Sequence, residues 1–361
     1  MPALPITALT ERRLFNGIVN KRIKRYTTLS RTVIPEGQHQ TLQEESAQLD
    51  VLTGTAGMAP FVKLGQRAIL MDSLGGTSYT VSCPFINIKR TLKYSTRLAA
   101  RIIGQRVFSD GGEQLREAIL FAMAQDADFL NDLIDNREEW MVAMILQNNL
   151  SYSQDGYDSF AVDTGKPSGN TFTAPILWSL TDGTTMPLKD IRTVKKLIGT
   201  YRGPMPTIGI CGSNAGAAIT QLFEKGLIPA INLQSGVLAG GGDLRSDLED
   251  NGMIFLGRLG NVDFYEYTGT YVDDTTGSET PLIRTDYIEF LSQSPKSIAH
   301  RRMYYGLIPD LNAIMTGQAV TKRFGISVPP KPDQGTFQGI IQTRPLPWFE
   351  RADWQVSLKV T

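Results

Sequence analysis

Residues 112–149 contain no proline, and Leu115, Ile119, Ala122, Met123, Phe129, Leu130, Leu133, Ile134, Trp140, Met141, Met144 and Ile145 recur there at spacings of three and four. That period places them on one stripe of a helix. At 1.5 Å per residue the helix is about 55 Å long, far above the usual three turns, so it must support something extended. Its opposite face carries Asp126, Asp128, Asp132, Asp135, Glu138 and Glu139, opposed mainly by Arg116 and Arg137. Such a face is either solvated or paired with a basic partner. The chain supplies one: residues 1–31 hold Arg12, Arg13, Lys21, Arg22, Lys24, Arg25 and Arg31 against the single acid Glu11, and read as a basic arm able to meet the acidic face of a neighbouring copy.

Around the helix the chain is punctuated by turns. Residues 52–60 (LTGTAGMAP) bring two glycines and a proline, and the next stretch reads as a β-hairpin, with strands at 67–71 and 78–83. The turn between them ends in Gly75 and Gly76, a pair suited to a tight reversal. Residues 150–186 form a Ser/Thr/Gly/Asp-rich region that is long for a compact domain unless it has small strands or a contact role. A mixed α/β unit covers 187–291, with helices expected at 188–201 and 213–225 and strands at 207–211, 253–256, 262–268 and 282–290. Residues 236–242 (GVLAGGG) and 273–280 are its tips. At the end, 325–332 turns the chain, 339–344 is β-prone, Pro345-Leu346-Pro347-Trp348 breaks it, and 354–360 alternates as a closing strand that ties back into a sheet.

Several chemistries are excluded or disfavoured by spacing. The 361 residues suffice for one large or two modest domains, and 36 basic residues balance 36 acidic ones, so no global positive field points to a nucleic-acid reader or an anionic membrane. Cys83 and Cys211 are far apart and lack CxxC partners, which argues against a disulfide framework or a zinc knuckle and for folding in a reducing cytoplasm. The first 13 residues lack a cationic start and an apolar run, and no stretch of about 20 apolar residues spans a bilayer, so neither export nor a membrane partner is expected. Gly165-Lys166-Pro167 lacks the glycine spacing of a phosphate loop, and Gly240-Gly241-Gly242 neither follows a strand nor opens a helix. His39 and His300 have no metal-ligand spacing and read as surface residues. Asp243, Asp247, Glu249 and Asp250 do not match a calcium loop. Cys211 precedes Gly212-Ser213 at a strand-to-helix turn, where a nucleophile can sit, but Ser213 is better read as a helix N-cap. No catalytic, cofactor-binding or metal residue is therefore assigned.

Three stretches resemble the lambda-type major capsid proteins known as the capsid protein E family. Residues 79–86, leading through Ile103-Gly104-Gln105-Arg106 into the long helix, resemble that family's strand-to-spine passage. Arg137-Glu138-Glu139-Trp140 lies late in the helix, where the family has a similar alternation. Gln342-Thr343-Arg344-Pro345-Leu346-Pro347, followed by Arg351-Ala352-Asp353, is similar to the family's terminal ending. The likeness covers nearly the whole chain in the order of its parts, with residues 150–186 and 231–250 as local departures.

The resemblance implies an α+β class and the Hong Kong 97-type phage capsid fold, with an N-terminal arm and lead-in (1–49), an extended β-hairpin loop (50–82) and a peripheral domain begun by 83–186 around the spine helix. It further implies an axial domain over 187–291 and a peripheral C-terminal part over 292–361. The implied function is a major capsid protein of a tailed bacteriophage. Copies would associate as hexamers and pentamers, with scaffold, portal and decoration proteins as partners, and enclose double-stranded DNA without sequence specificity. Shells would assemble in the host cytoplasm and persist in the virion. Inter-subunit contacts are expected at Arg12, Arg13, Lys21, Arg22, Lys24, Arg25, Gly75, Gly76, Asp128, Asp132, Asp135, Glu138 and Glu139. Three alternatives stay open: a bacterial nanocompartment shell of the same fold, an α/β enzyme using Cys211, and a tail or adhesion protein richer in β-structure.

Overall fold

The structure, a computed structural model, describes residues 28–44, 46–53, 75–93, 112–153, 159–179, 184–224, 252–273, 277–308, 325–327 and 336–361. The elements run α1 (Thr28–Val33), β1 (His39–Thr41), β2 (Ser46–Thr53), β3 (Gly75–Ser82), β4 (Ile86–Lys93), α2 (Gly112–Leu146), β5 (Leu150–Tyr152), β6 (Phe160–Val162) and β7 (Thr171–Thr173). They continue with α3 (Pro187–Thr200), β8 (Ile208–Cys211), α4 (Ser213–Glu224), β9 (Met253–Leu259), β10 (Val262–Tyr267), β11 (Thr270–Val272), β12 (Glu279–Pro281) and β13 (Tyr287–Leu291). The last are α5 (Pro295–Ile298), β14 (Arg301–Tyr305), β15 (Gly325–Ser327), β16 (Thr336–Thr343), β17 (Pro345–Phe349) and β18 (Val356–Lys359).

The long helix is α2, 35 residues and therefore about 52 Å. It stops where Asn148 turns left-handed at φ 53°. The Asn148 amide then donates to the Ile145 carbonyl at 3.0 Å and the Asn149 amide to Met144 at 2.9 Å, which closes the last turn on itself. Ala127, Leu130, Asn131 and Ile134 face inward at helical spacing, and from Glu138 to Gln147 every side chain is buried. Phe129 and Leu133, expected on the apolar stripe, lie beside it and are 48% and 42% exposed.

A six-stranded mixed sheet, in the order β7-β18-β13-β8-β10-β9, divides two cores. On one face Phe264, Ile288, Phe290, Val356 and Leu358 meet Ile191, Val194 and Ile198 of α3 and Ala215, Ile219 and Leu222 of α4. The other face presents Ile208, Ile210, Tyr265 and Tyr267 to the buried end of α2, to Leu29 and Val33 of α1, and to Tyr305 and Trp348 of a three-stranded sheet, β1-β14-β17. The expected division at 291/292 is not respected by this sheet. β13 needs a partner on each side, and the closing strand β18 supplies one, itself flanked by β7 from the 150–186 region. That region also holds the β5–β6 pair.

Four expectations need correction. Gly75 and Gly76 lie in strand β3, opposite Thr53 and Leu52 of β2, and not in a turn. The partner of residues 75–82 is thus 46–53, while 67–71 fall outside the described residues. The segment Pro345-Leu346-Pro347-Trp348 does not break the chain but forms β17, all of it buried. Arg344 accepts from Gly306 and Glu350 donates to His300, so the even-numbered residues of β17 bond to β14. The two prolines fall at the odd positions, on the outer side of an edge strand where no ladder donor is missed. The strand expected over 282–290 forms only from Tyr287, because Arg284 turns the chain, its carbonyl accepting the Tyr287 amide at 3.2 Å, and the Thr285 backbone serves α4 instead. The Thr285 carbonyl accepts the Ala215 amide at 2.9 Å, so a backbone carbonyl from another element caps this helix and Ser213 lies within it.

Two glycine positions make these approaches possible. Gly260 and Asn261, at φ 57° and 64°, form the two-residue reversal between β9 and β10 that only left-handed residues allow. Gly212 packs so closely on the Arg284 carbonyl and the Thr285 backbone that a Cβ there would overlap both. Gly212→Ala is therefore expected to cost about 1–3 kcal/mol in urea unfolding. Gly169→Ala, where nothing lies within 4 Å, should leave stability unchanged. Equal effects of the two substitutions would contradict this packing.

Candidate functional site

The six-residue helix α1 is where the basic N-terminal segment joins the body, and both of its ends are held by buried charge. At the start, Glu139 of α2 accepts the Leu29 amide on Oε1 at 2.7 Å and the Ser30 amide on Oε2 at 2.8 Å. The Tyr267 hydroxyl of β10 donates to the same Oε1 at 2.6 Å. At the other end the buried Arg301 of β14 donates to the Val33 carbonyl at 3.1 Å, to the Ser297 hydroxyl at 2.8 Å and to the Ser292 carbonyl. Gln293 adds a bond to the Thr32 carbonyl at 2.9 Å. A carboxylate at a helix start and a cation at its end complement the unpaired amides and carbonyls there. Burial pushes Glu139 above the usual glutamate range, although its hydrogen bonds from Tyr267, Ser30 and Leu29 pull the other way. Burial likewise lowers Arg301 to about 10.

The expected contact residues separate on this geometry. Arg12, Arg13, Lys21, Arg22, Lys24 and Arg25 lie outside the described residues. Asp128 and Asp132 are partly exposed on α2, but Asp135, Glu138 and Glu139 are buried inside their own subunit. Glu138 accepts from the Tyr305 hydroxyl at 3.3 Å. Asp128, Asp132, Asp135 and Glu139 do share a stripe by spacing. The body closes around only its later part, and periodicity carries no information on where along a helix that enclosure begins. As an outward-facing acidic surface, therefore, Asp135, Glu138 and Glu139 are corrected: all three are buried, and Glu139 holds α1 and β10, and Glu138 holds β14, to the spine.

The profile described as phage major capsid protein E matches residues 16–360. The chain belongs to that family. Among solved structures, the putative capsid protein of a prophage of E. coli CFT073 superimposes with a TM-score of 0.67 over 100% of both chains at 16% identity. A phage-related protein from Bordetella bronchiseptica RB50 gives 0.48 over 96% of each chain at 10% identity. The holo-SrpI encapsulin complex from Synechococcus elongatus PCC 7942 gives 0.45 over 99% of this chain and 96% of that one, at 11% identity. A search of curated proteins finds no match. The fold is the Hong Kong 97-type α+β capsid fold, and the protein is a phage capsid shell protein.

In this capsid protein the remaining candidate chemistry is structural. Cys211 is wholly buried, its thiol donates to the Gly209 carbonyl at 3.8 Å, and burial with the Glu266 carboxylate holds it well above the ordinary thiol range. That is the reverse of an activated nucleophile. His300 bonds Glu350 at 2.8 Å and meets Trp354 edge-on, while His39 meets Tyr305. Among the described residues no group of three or more His, Cys, Asp and Glu could hold a metal, and no helix is long and apolar enough to cross a membrane.

One buried network had no sequence signal. Lys166 donates to Ser357 at 2.6 Å and lies 3.9 Å from Glu289, Ser357 donates to the same Glu289 oxygen, and Arg284 holds the other oxygen at 2.8 Å. Burial lowers Lys166, opposed by Glu289 and assisted by Arg284. The Lys166 link ties the 150–186 region to β13 and β18.

Because the folded-state pKa of Glu139 lies above the ordinary value, the folded chain keeps a proton that the unfolded chain releases. Stability should then fall as pH rises between those two values. Glu139→Gln is expected to remove that part of the pH dependence, and Glu139→Ala to lower stability by at least about 2 kcal/mol by orphaning buried donors. Urea titrations across this pH range check both; coincident pH profiles for wild type and Glu139→Gln would contradict the assignment.

Proposed function

We propose that this protein is the major capsid subunit that closes, as hexamers and pentamers of itself, into the icosahedral head shell around the double-stranded DNA of a tailed bacteriophage. The family match across residues 16–360 carries this reading. In it, the work is structural and not catalytic, shells assemble in the host cytoplasm, and scaffold, portal and decoration proteins are the other partners.

The unit centred on 187–291, completed by β7 and β18, serves as the axial domain, and the surroundings of α2 with β14 and β17 as the peripheral one. The β2–β3 ladder is a two-stranded sheet with no third strand among the described residues. Such ladders are marginal in isolation, so a neighbouring copy would stabilise the 50–82 excursion by covering it. Closed rings require head-to-tail contacts in which a projection meets a different patch on the next subunit. The basic residues Arg12, Arg13, Lys21, Arg22, Lys24 and Arg25 are one such projection, and Asp128 and Asp132 of the next copy are its acceptor. Several modest contacts per copy act together once each chain is tethered in a ring.

The test is expression of the full chain, alone and with its scaffold, followed by electron imaging. Closed particles are expected, and reversal of Lys21, Arg22, Lys24 and Arg25 to Glu should abolish them even without DNA. A wild-type chain that remains monomeric under both conditions would overturn the shell reading. Normal particles from the reversed variant would overturn the role of the arm alone.

A further inference from the structure

The outward face of α3 is basic. Lys189, Arg192 and Lys196 are exposed at spacings of three and four, which aligns them on one stripe about 10 Å long. The single acid of this helix, Asp190, is turned inward, where its Oδ2 accepts the Trp178 indole N–H at 2.8 Å. Lys195 is directed elsewhere, to the Gly260 carbonyl at 2.5 Å. Among the described residues no carboxylate forms a salt bridge with the three stripe cations, and Lys189 acts on the inward Asp190 only at longer range. Other surface arginines of the same chain are matched: Arg258 with Asp263, Arg302 with Glu350 and Arg351 with Asp353. A chain of zero formal charge thus keeps a local excess of positive charge on this helix.

The helix is also rigidly mounted. Ile191, Val194 and Ile198 are buried in the core against the sheet, on the face opposite the end of α2. The stripe is therefore a fixed row of charges on one side of the axial unit.

We propose that this stripe is where the shell subunit touches the phosphate backbone of the enclosed double-stranded DNA, a reading that rests on the proposed shell function. Two of the three cations are lysines, a residue depleted at protein–protein interfaces and effective as a point charge for phosphate. Three long cations on a rigid helix suit contact with phosphates, the positioning kind of contact that carries no sequence information directly. Three neutralised phosphates give a log–log salt slope of about −2.7, so affinity falls about 40-fold between about 50 and 200 mM salt. Each contact is weak, and its repetition over many copies holds the genome against the wall without gripping it at any one point.

The experiment titrates the purified full chain with a short labelled DNA duplex over that salt range, beside a parallel imaging assay for closed particles. The Lys189→Gln/Arg192→Gln/Lys196→Gln variant should show a slope shallower by about 2.7, with closed particles as in wild type. The charge-conserving Lys189→Arg/Lys196→Arg variant should retain the wild-type slope, which separates charge from folding. Unchanged affinity and slope in the Gln variant would overturn the proposal. So would a folded Gln variant that no longer closes particles, since the stripe would then join copies of the chain. Failure of the wild type to close particles would count against the shell reading, whereas the DNA slope is read from the soluble subunit and stands apart from it.

Discussion

The buried carboxylate of Glu139 is the interaction on which the subunit depends, because it joins three elements at one point. Its oxygens take two backbone amides of α1 and the hydroxyl of Tyr267, so the spine, the root of the N-terminal segment and strand β10 meet at one group. Enclosing a carboxylate is costly unless donors surround it, and here they do. Arg301 repeats the logic with opposite sign at the far end of α1. A six-residue helix has little stability of its own and is held by these caps and by Leu29 and Val33 in the core.

From that joint the rest follows in layers. The end of α2 is buried on all sides because α1, the six-stranded sheet and the β14–β17 pair enclose it. The sheet carries a second core on its other face, with α3 and α4, so the unit over 187–291 is packed against the spine through a shared sheet. A shell subunit needs this property: forces from neighbouring copies must pass through the body without reshaping it, and close-packed cores transmit them.

Much of this architecture was legible in the sequence, but unevenly. The proline-free period of three and four from Leu115 onward was sufficient for α2, since a long amphipathic stripe depends on local spacing alone. The strand at 208–211 and the helix after Gly212 were legible for the same reason. What was not legible depends on partners distant in sequence. Pro345 and Pro347 look like breakers until an edge position makes their missing donors harmless. Gly75 and Gly76 look like a turn until residues 46–53 are seen to pair with them. Of the acids on α2, Asp128 and Asp132 stay partly exposed while Asp135 and Glu139 on the same stripe are buried, a difference set by where the body closes and not by the helix. Lys166, considered only as part of a failed phosphate loop, proved to be the buried partner of Glu289 and Ser357.

Amide hydrogen exchange over residues 28–34 of the full chain tests this account most directly. If Glu139 locks the root of the arm, the Leu29 and Ser30 amides exchange nearly as slowly as those of β8 and β13 in the wild type. In Glu139→Ala they should exchange rapidly while the two strands stay protected. Rapid exchange at Leu29 and Ser30 already in the wild type would contradict it.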